Sequence, residues 1–314
     1  MGLTRSAALI SAAAAAVATA CRPALAQRAP IRVGAGTGDA HMEPFYAEAL
    51  GTFKRAGLDV AITTFANPAA IAEAMAGGAI DVGLSDPLQL AQAALRGIPF
   101  AYFAGGTLFS VATPTLVLCS SSQGPIRSAK DLERKTIAVP TVHTFVDISI
   151  SEWLKQNAAD PSGVKYFEMH YGEVPAGLAR GTIDAGLVGE PFLSDAKAGL
   201  RQLGVPFAAV AKSFYVVAWF ARRDWLAANA DQAHRLAAVF YDTARWANTH
   251  QSDSAAIEST YLKMDPAQVA TMARNTFDTR LDLTQIQPVL DVSTRYQLLP
   301  RQVAATEIVM PGYS

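Results

Sequence analysis

Residues 176–193 read AGLARGTIDAGLVGEPFL and residues 72–88 read AEAMAGGAIDVGLSDPL, so the chain carries one pattern twice, about a hundred residues apart. When Asp81 is aligned with Asp184, each copy has an Ala-rich helical stretch, a glycine turn and a short apolar strand. This spacing is too long for a solenoid repeat and too short for tandem domains. We therefore predict two similar α/β lobes with a ligand site between them, because ligands of open α/β sheets lie at the carboxyl ends of strands.

Each copy ends in an acidic residue followed by proline, and these pairs supply the first candidate site residues. The first copy has Ser85, Asp86 and Pro87, and the second has Glu190 and Pro191. Proline restricts the backbone after the acid, which fixes the loop. We predict Glu190 as the leading ligand contact, with Ser85 and Asp86 facing it from the other lobe. The alternative is that these acids cap the helices that follow.

Residues 1–26 have the features of a secretory signal peptide. Arg5 is basic, residues 7–20 are small and apolar, and residues 24–26 read ALA, an A-x-A cleavage site. The apolar run is too short to span a membrane. We predict a periplasmic protein. Lipid anchoring through Cys21 is the less favoured alternative, because alanine stands where an anchored protein has a branched apolar residue.

The composition excludes several classes of protein. The 314 residues carry 26 Lys and Arg against 27 Asp and Glu, a formal net charge of −1, so a basic surface for nucleic acid is not indicated. After cleavage Cys119 is the only cysteine, and within the apolar run TLVLC we interpret it as a buried small hydrophobe. The histidines are scattered without metal-ligand spacing, so we expect no metal and no cofactor.

Apolar patterning predicts alternating strands and helices from residue 31 onward, which is typical of parallel-type sheets flanked by helices. A helical C-terminal part follows, with Asp224 and Asp265 as expected N-caps. The predicted strands and helices with firm bounds are strands 31–33, 60–64 and 136–139 and helices 44–55 and 147–156.

The loop GAGTGD at residues 34–39 follows the first strand. It departs from the dinucleotide fingerprint, because Asp39 stands where the third glycine is required. A loop of this kind still turns backbone N–H groups toward a ligand. We include Thr37 and His41 as candidate contacts, and Phe45 as a ring that could stack against a ligand.

Five segments taken together resemble the exported solute-binding proteins of the nitrate/sulfonate/taurine and thiamin-pyrimidine-precursor group (SsuA/THI5-like, NMT1-like). The match covers most of residues 31–220. Beyond residue 220 only the pattern of helices is similar. The resemblance implies a type II periplasmic-binding-protein fold with a two-strand hinge, acting as a monomer with a small-molecule ligand and an ABC permease as partners. The segments are PFYAE (44–48), FKRAGLDV (53–60), AGGAIDVG (76–83), SAKDLERKTIAVP (128–140) and GTIDAGLVGEP (181–191).

The chain itself indicates where it crosses between the lobes. Thr113 and Pro114 precede the apolar residues 115–119, which we predict to leave lobe one, and residues 213–220 are predicted to cross back. A hinge of two strands permits closure without unfolding. The resulting division is signal peptide 1–26, lobe one 27–116, lobe two 117–212, and a return to lobe one, 213–314, whose helices pack on that lobe.

The loops predicted to line the cleft hold acids and no Lys or Arg. A sulfonate site without a guanidinium would lack its strongest bidentate partner, so we favour an aminopyrimidine, an amine or an aromatic ligand, with Phe192 among the rings. An anion bound by helix N-termini and by Thr141, His143 and Thr144 stays open as the alternative. The acids are Asp39, Glu43, Asp86, Asp147, Glu168, Glu173 and Glu190.

Two other functions are compatible with the same architecture. A ligand sensor for a membrane kinase would share every feature above. Dehydratases and the yeast pyrimidine synthase also use two-lobed folds, but such an enzyme requires a reactive lysine or a cysteine cluster in the cleft. Ser85, His143 and Asp147 could form a triad by residue type, although Pro87 stands where a nucleophile elbow requires glycine. We therefore predict a binding protein and not an enzyme.

Overall fold

The computed structural model describes residues 29–36, 38–65 and 68–314. The predicted signal peptide, including Cys21, and the candidate Thr37 lie outside the described residues. Among the helices of the described part, none is long and apolar enough to cross a bilayer.

The strands and helices alternate along most of the described chain. The strands are β1 (Ile31–Gly36), β2 (Val60–Phe65), β3 (Val82–Ser85), β4 (Phe100–Ser110), β5 (Leu116–Ser121), β6 (Thr136–Val139), β7 (Lys165–Glu168), β8 (Ala185–Gly189), β9 (Leu200–Gly204), β10 (Ser213–Arg222) and β11 (Thr276–Phe277). The α-helices are α1 (Glu43–Ala49), α2 (Thr52–Arg55), α3 (Pro68–Ala76), α4 (Pro87–Leu95), α5 (Phe145–Gln156), α6 (Val174–Arg180), α7 (Phe192–Asp195), α8 (Arg223–Ala228), α9 (Ala230–Thr249), α10 (Gln251–Leu262), α11 (Pro266–Thr271) and α12 (Gln287–Arg295).

Two sheets organise these elements. The first sheet has the strand order β11-β4-β10-β3-β1-β2 and the second has the order β7-β6-β8-β5-β9. Strand β1 is parallel to β2 and β3, and β6 is parallel to β7 and β8. The remaining pairs are antiparallel. The α/β class is confirmed, and the sheets are mixed because strands from the crossings add antiparallel pairs to each parallel group.

The two copies of the sequence repeat have the same structural role. The Asp81 carboxylate accepts a hydrogen bond from the Arg32 backbone N–H at 2.9 Å, and the Asp184 carboxylate accepts one from the Thr136 N–H at 2.9 Å. Each aspartate N–H returns a bond to the carbonyl of the same partner, at 2.8 and 3.0 Å. In both sheets the repeat aspartate therefore anchors the beginning of one parallel strand beside the next.

The repeat glycines allow a helix to approach each sheet closely. A Cβ atom on Gly83 would lie 2.6 Å from Cγ2 of Ile71 on α3, and one on Gly186 would lie 2.6 Å from Cγ1 of Val174 on α6. Contacts that short do not occur between real side chains. Glycine at these two positions is therefore a requirement of packing between the repeat strand and the helix before it.

The chain passes between the sheets in two adjacent segments, 111–115 and 205–212. They contact each other directly, because the Val111 N–H donates to the Lys212 carbonyl at 3.0 Å. Strand β5 pairs only within the second sheet and β10 only within the first, as far as the described residues show. The crossings therefore lie just outside the two strands that the sequence pattern indicated.

Four buried aromatic rings pack together beside these crossings. Phe109 is the second-last residue of β4, Phe214 is the second residue of β10, Phe145 begins α5, and Phe207 lies in the second crossing. The Phe214 ring centroid is 5.1 Å from those of both Phe109 and Phe145, and Phe145 lies 5.1 Å from Phe207. Edge-to-face and tilted pairs of this kind add stability beyond the area they bury, so the cluster joins the first helix of the second sheet to the first sheet.

Three helix expectations differ from the structure, and the first is that α5 begins at Phe145, two residues before the predicted start at residue 147. The helix predicted over 44–55 is interrupted at Gly51, whose φ of 69° is left-handed. Asp265 caps α11 as predicted, accepting from a backbone N–H at 2.8 Å. The prediction that Asp224 caps α8 is wrong: Arg222 is the N-cap, and the Asp224 carboxylate instead pairs with the Arg222 guanidinium at 2.8 Å.

The C-terminal helices pack on the first sheet. The Phe240 ring of α9 stacks on the Trp219 ring of β10, with centroids 3.9 Å apart and planes 5° from parallel. Both side chains are fully buried. Phe240 is therefore a core residue that fixes α9 to the first sheet.

Candidate ligand site

Asp86 lies at the carboxyl end of β3 and begins α4 as its N-cap. Its carboxylate accepts from the Gln89 N–H at 3.0 Å. The side chain is only half-buried, yet desolvation raises its pKa to about 6 against the opposing effect of backbone hydrogen bonds. Desolvation of this kind disfavours the charged form of the carboxyl group. Ser85 is buried beside it, and its hydroxyl donates to the Asp86 carbonyl at 3.4 Å.

His41 follows β1 in a short 3₁₀ turn of the same sheet. Its ring lies against Gly36, where an added Cβ would be 3.1 Å from Cδ2. The side chain is half-buried, burial lowers its pKa to about 4, and Nδ1 has no hydrogen-bond partner among the described residues. His41 is therefore a neutral imidazole at neutral pH. Phe45 is buried and its ring centroid is 4.5 Å from that of Tyr261, so its faces are largely used by packing.

The loop after β6 contains three candidates, and its backbone donors are already occupied. The N–H groups of His143 and Thr144 donate to Asp147 at 2.9 and 2.7 Å, and the Val142 N–H donates to Glu168 at 3.0 Å. Thr144 is the N-cap of α5 and forms a capping box with Asp147. Asp147 and Glu168 therefore occupy three backbone N–H groups of this loop, and an anion bound to those groups would have to displace a carboxylate.

The side chains of the same loop differ in their exposure. Thr141 and His143 are exposed, and His143 has a left-handed φ of 60°. The Thr144 hydroxyl is half-buried and donates to the Thr141 carbonyl at 3.1 Å while accepting from the Val146 N–H at 3.3 Å. Only the exposed pair therefore has side-chain groups available to a ligand.

Glu190 lies at the carboxyl end of β8, and its carboxylate accepts from three protein donors. These are the Ser194 N–H at 3.1 Å, the Ser194 hydroxyl at 3.0 Å and the Ala273 N–H at 3.4 Å. Phe192, two residues on, packs edge-on against His170 with centroids 6.1 Å apart. Glu190 therefore bonds to Ser194 of α7 and also contacts the C-terminal part of the chain, which the sequence did not indicate.

Arg274 is the principal residue that the sequence reasoning missed. Its Nε donates to Asp39 at 3.1 Å, and its Nη2 contacts both Tyr46 and Glu258. Its side chain is 8% exposed, and that of Glu258 is 0% exposed. Burial, with Asp39 adding to it and Arg274 opposing it, raises the pKa of Glu258 to about 8. A guanidinium therefore does reach a predicted cleft loop, although the loop itself contains none.

Almost all of the predicted cleft acids are occupied by protein donors. Glu43, for example, is buried, accepts from the Trp219 indole N–H at 2.7 Å, and has a pKa raised well above its usual value by that burial. In the described residues no hydrogen bond joins Ser85 or Asp86 directly to the candidates of the second sheet. The acids with protein donors are Asp39, Glu43, Asp86, Asp147, Glu168 and Glu190.

Comparison with known proteins identifies the family of this chain. The sequence profile of the family described as "NMT1/THI5 like" matches residues 39–254, more than half of the chain. The chain belongs to the NMT1/THI5-like family. The matched range includes both copies of the repeat and all candidate site residues except Thr37.

Curated relatives of this NMT1/THI5-like chain are enzymes by name. It is 32% identical over 148 residues to the 4-amino-5-hydroxymethyl-2-methylpyrimidine phosphate synthase THI13 of Saccharomyces cerevisiae, which covers 47% of the chain and 42% of the relative. The chain thus spans about two-fifths of the length of the curated relatives it matches.

Solved structures similar to the chain are binding proteins by title. The periplasmic aliphatic sulphonate binding protein SsuA from Escherichia coli has a TM-score of 0.73 at 17% identity, covering 89% of this chain and 91% of its own. A ligand-binding component of an ABC-type import system from Staphylococcus aureus, solved with zinc bound, has a TM-score of 0.76 at 16% identity, covering 90% and 98%. At these identities the similarity establishes the periplasmic-binding-protein fold.

Proposed function

We propose that this chain is an extracytoplasmic solute-binding protein that acts as a monomer and delivers a small organic molecule to an ABC permease. Its two lobes, 27–116 with 213–314 and 117–212, would correspond to the two sheets and close on the solute between them. Family membership and the two-sheet fold support the proposal. A periplasmic location follows from the predicted signal peptide at 1–26.

The observation that carries the ligand assignment is the environment of Asp86. Asp86 also accepts from a protein donor, but it is half-buried at a strand end and desolvation raises its pKa to about 6. A ligand N–H or ammonium group would restore the charge stabilisation that water no longer gives this carboxylate. We therefore favour an aminopyrimidine or an amine, with the exposed Thr141 and His143 facing the solute from the other lobe.

The enzyme alternative has support from the names of the curated relatives, but the chain lacks the chemistry for it in the candidate loops. These loops contain no lysine. Cys119 is fully buried in β5, and burial raises the pKa of its thiol to about 12, which makes it a poor nucleophile. A ligand sensor for a membrane receptor would use the same closure. It differs in having a signalling receptor, in place of a permease, as the partner of the closed lobes.

A thermal-shift panel tests both the binding role and the ligand class. Ligand at a hundredfold excess over its Kd should add about 2.7 kcal/mol to the free energy of unfolding. The panel compares aminopyrimidines and small amines with taurine, alkanesulfonates, nitrate and aromatic carboxylates. We expect a response to the first group that Asp86→Asn abolishes, since asparagine keeps the helix cap but removes the charge.

Asp160→Asn is the matched control, because Asp160 also precedes a proline and accepts from a nearby backbone N–H, that of Ser162 at 2.9 Å, but is exposed and lies outside the candidate loops. It should leave the ligand response unchanged. A response to sulfonates that persists in Asp86→Asn would overturn the amine assignment while leaving the binding role in place. No response to any member, together with turnover of a pyrimidine precursor, would support the enzyme alternative.

A further inference from the structure

The segment 265–275, here called the strap, contacts the loop that follows β8. It consists of the N-cap Asp265, α11 and the four residues after that helix. The Gln268 side chain donates to Asp195 at 3.2 Å, and the Ala273 N–H donates to Glu190 at 3.4 Å. Both acceptors belong to the second sheet's side of the molecule, so the strap holds that side at two points.

The same segment is fixed to the first sheet's side by a buried polar network. Arg274 pairs with Asp39 at 3.1 Å and also contacts Glu258 on α10. The next residue, Asn275, donates through Nδ2 to Asp39 at 2.9 Å. Asp39 lies in the turn after β1 that also contains His41. Movement of the strap is therefore transmitted to a predicted ligand loop.

The strap also contacts the first crossing between the sheets. The Thr115 hydroxyl donates to the Asn275 side-chain oxygen at 3.0 Å, and Thr115 is the last residue of the segment 111–115. Rotation about the hinge would change the distance between the Thr115 hydroxyl and Asn275. Three structural parts that must rearrange in closure, the hinge, the β8 loop and the Asp39 loop, meet at consecutive residues of one segment.

The polar network under the strap is incompletely satisfied in this arrangement. Arg274 Nη1 and Glu258 Oε1 are buried without a hydrogen-bond partner among the described residues. A buried polar atom left unpaired is costly, and water can reach such atoms once the segment moves. These unpaired atoms therefore lower the free-energy cost of moving the strap away from this arrangement.

We infer that the strap couples lobe closure to the Asp39 loop, with Arg274 as the positioning residue that fixes the strap to this loop and Glu190 as its acceptor on the other lobe. This inference rests on one part of the proposed function, namely that the two lobes move relative to each other. It also assigns Glu190 a different role from the one its sequence position indicated. Glu190 holds the lobes together, and the solute is left to Asp86.

Small-angle X-ray scattering of the protein without any solute tests the coupling. Arg274→Gln should raise the open-to-closed ratio roughly tenfold, the effect of one charge-assisted hydrogen bond, and increase the radius of gyration. Arg274→Lys should restore part of the closed population, because lysine keeps the charge but not the planar fork. Hydrogen exchange at the Ala273 amide should accelerate in step with the opening.

Gln268→Ala keeps the inference testable if Arg274→Gln does not fold, because Gln268 is exposed and its bond to Asp195 lies on the surface. This substitution should raise the open-to-closed ratio by roughly threefold. Gln302→Ala is the matched control: Gln302 is exposed and bonds to Asp291, but both lie in the C-terminal segment on one side. It should not change the radius of gyration.

Unchanged scattering and unchanged Ala273 exchange in Arg274→Gln and Gln268→Ala, with only a lower unfolding midpoint, would overturn the coupling and make the strap a static brace. Because no solute is present, this result is independent of the ligand panel. A protein that binds amines but shows no opening would refute the strap alone. A protein that opens on these substitutions but binds no solute would refute the transport role alone.

Discussion

The wild-type protein should lose unfolding free energy as the pH falls from about 6.5 to 4, and His41→Gln should abolish the part of this loss that comes from His41. Burial lowers the pKa of the folded-state imidazole from 6.5 to about 4. In that interval the unfolded chain binds more protons than the folded chain, so the free energy of unfolding rises with pH. The contribution is fully present above pH 6.5 and is lost as the pH falls through about 4.

The size of this effect follows from the shift. A difference of about 2.5 pKa units at about 1.4 kcal/mol per unit corresponds to about 3.4 kcal/mol. His41 is half-buried, so solvent screening reduces this value, and we expect about 2 kcal/mol. Glutamine keeps a polar group beside Gly36 but cannot titrate, so its stability should not change through this ionisation.

Urea unfolding of wild type and His41→Gln at a series of pH values, followed by tryptophan fluorescence, measures the difference directly. Other titrating groups, including Asp86 and Glu258, contribute equally to both proteins and cancel. His234→Gln is the control, because His234 is exposed and its ring stacks on Tyr313 at 4.2 Å. A difference between wild type and His41→Gln that stays constant from pH 6.5 to 4 would refute a buried neutral imidazole.

The repeat yields two further predictions, both checked by the same unfolding assay at neutral pH. Gly186→Ala should cost about 1–3 kcal/mol, because its Cβ would lie 2.6 Å from Val174, while Gly199→Ala should be near neutral, since nothing lies within 4 Å of its added Cβ. Asp81→Ala and Asp184→Ala should each cost about 1–2 kcal/mol, because each removes the acceptor of one strand N–H. A neutral Asp184→Ala beside a costly Asp81→Ala would mean that the two copies are not structurally equivalent.

Features set by nearby residues could be predicted from the sequence. The strand over 136–139 has the expected bounds, and the cap at Asp265 is present, because both depend on apolar periodicity and on side chains within a few positions. The break at Gly51 could not be predicted, because a glycine within a helical pattern can either continue the helix or end it. Antiparallel pairing of β4 with β10 joins residues more than a hundred positions apart, and local patterning carries no signal for it.

The candidate site likewise has features set by nearby residues, which could be predicted, and features set by distant residues, which could not. The loops at the strand ends could be predicted because the repeat marks them. The charge at the Asp39 loop could not, since Asp39 pairs with Arg274, 235 positions later in the chain. A count of charges within loops cannot include a partner that only the tertiary fold supplies.

The two acids of the repeat, Asp86 and Glu190, occupy equivalent positions but differ in how their carboxylates are used. Both follow a repeat strand, precede a proline and accept from the N–H groups of the helix that follows. Glu190 also accepts from Ala273 on the strap, whereas Asp86 is the acid whose pKa desolvation raises to about 6. If one acid binds the solute and the other holds the lobes, affinity and closure can change independently. Asp86→Asn should then abolish binding without opening the protein, and Glu190→Gln should weaken closure while the open protein still binds solute.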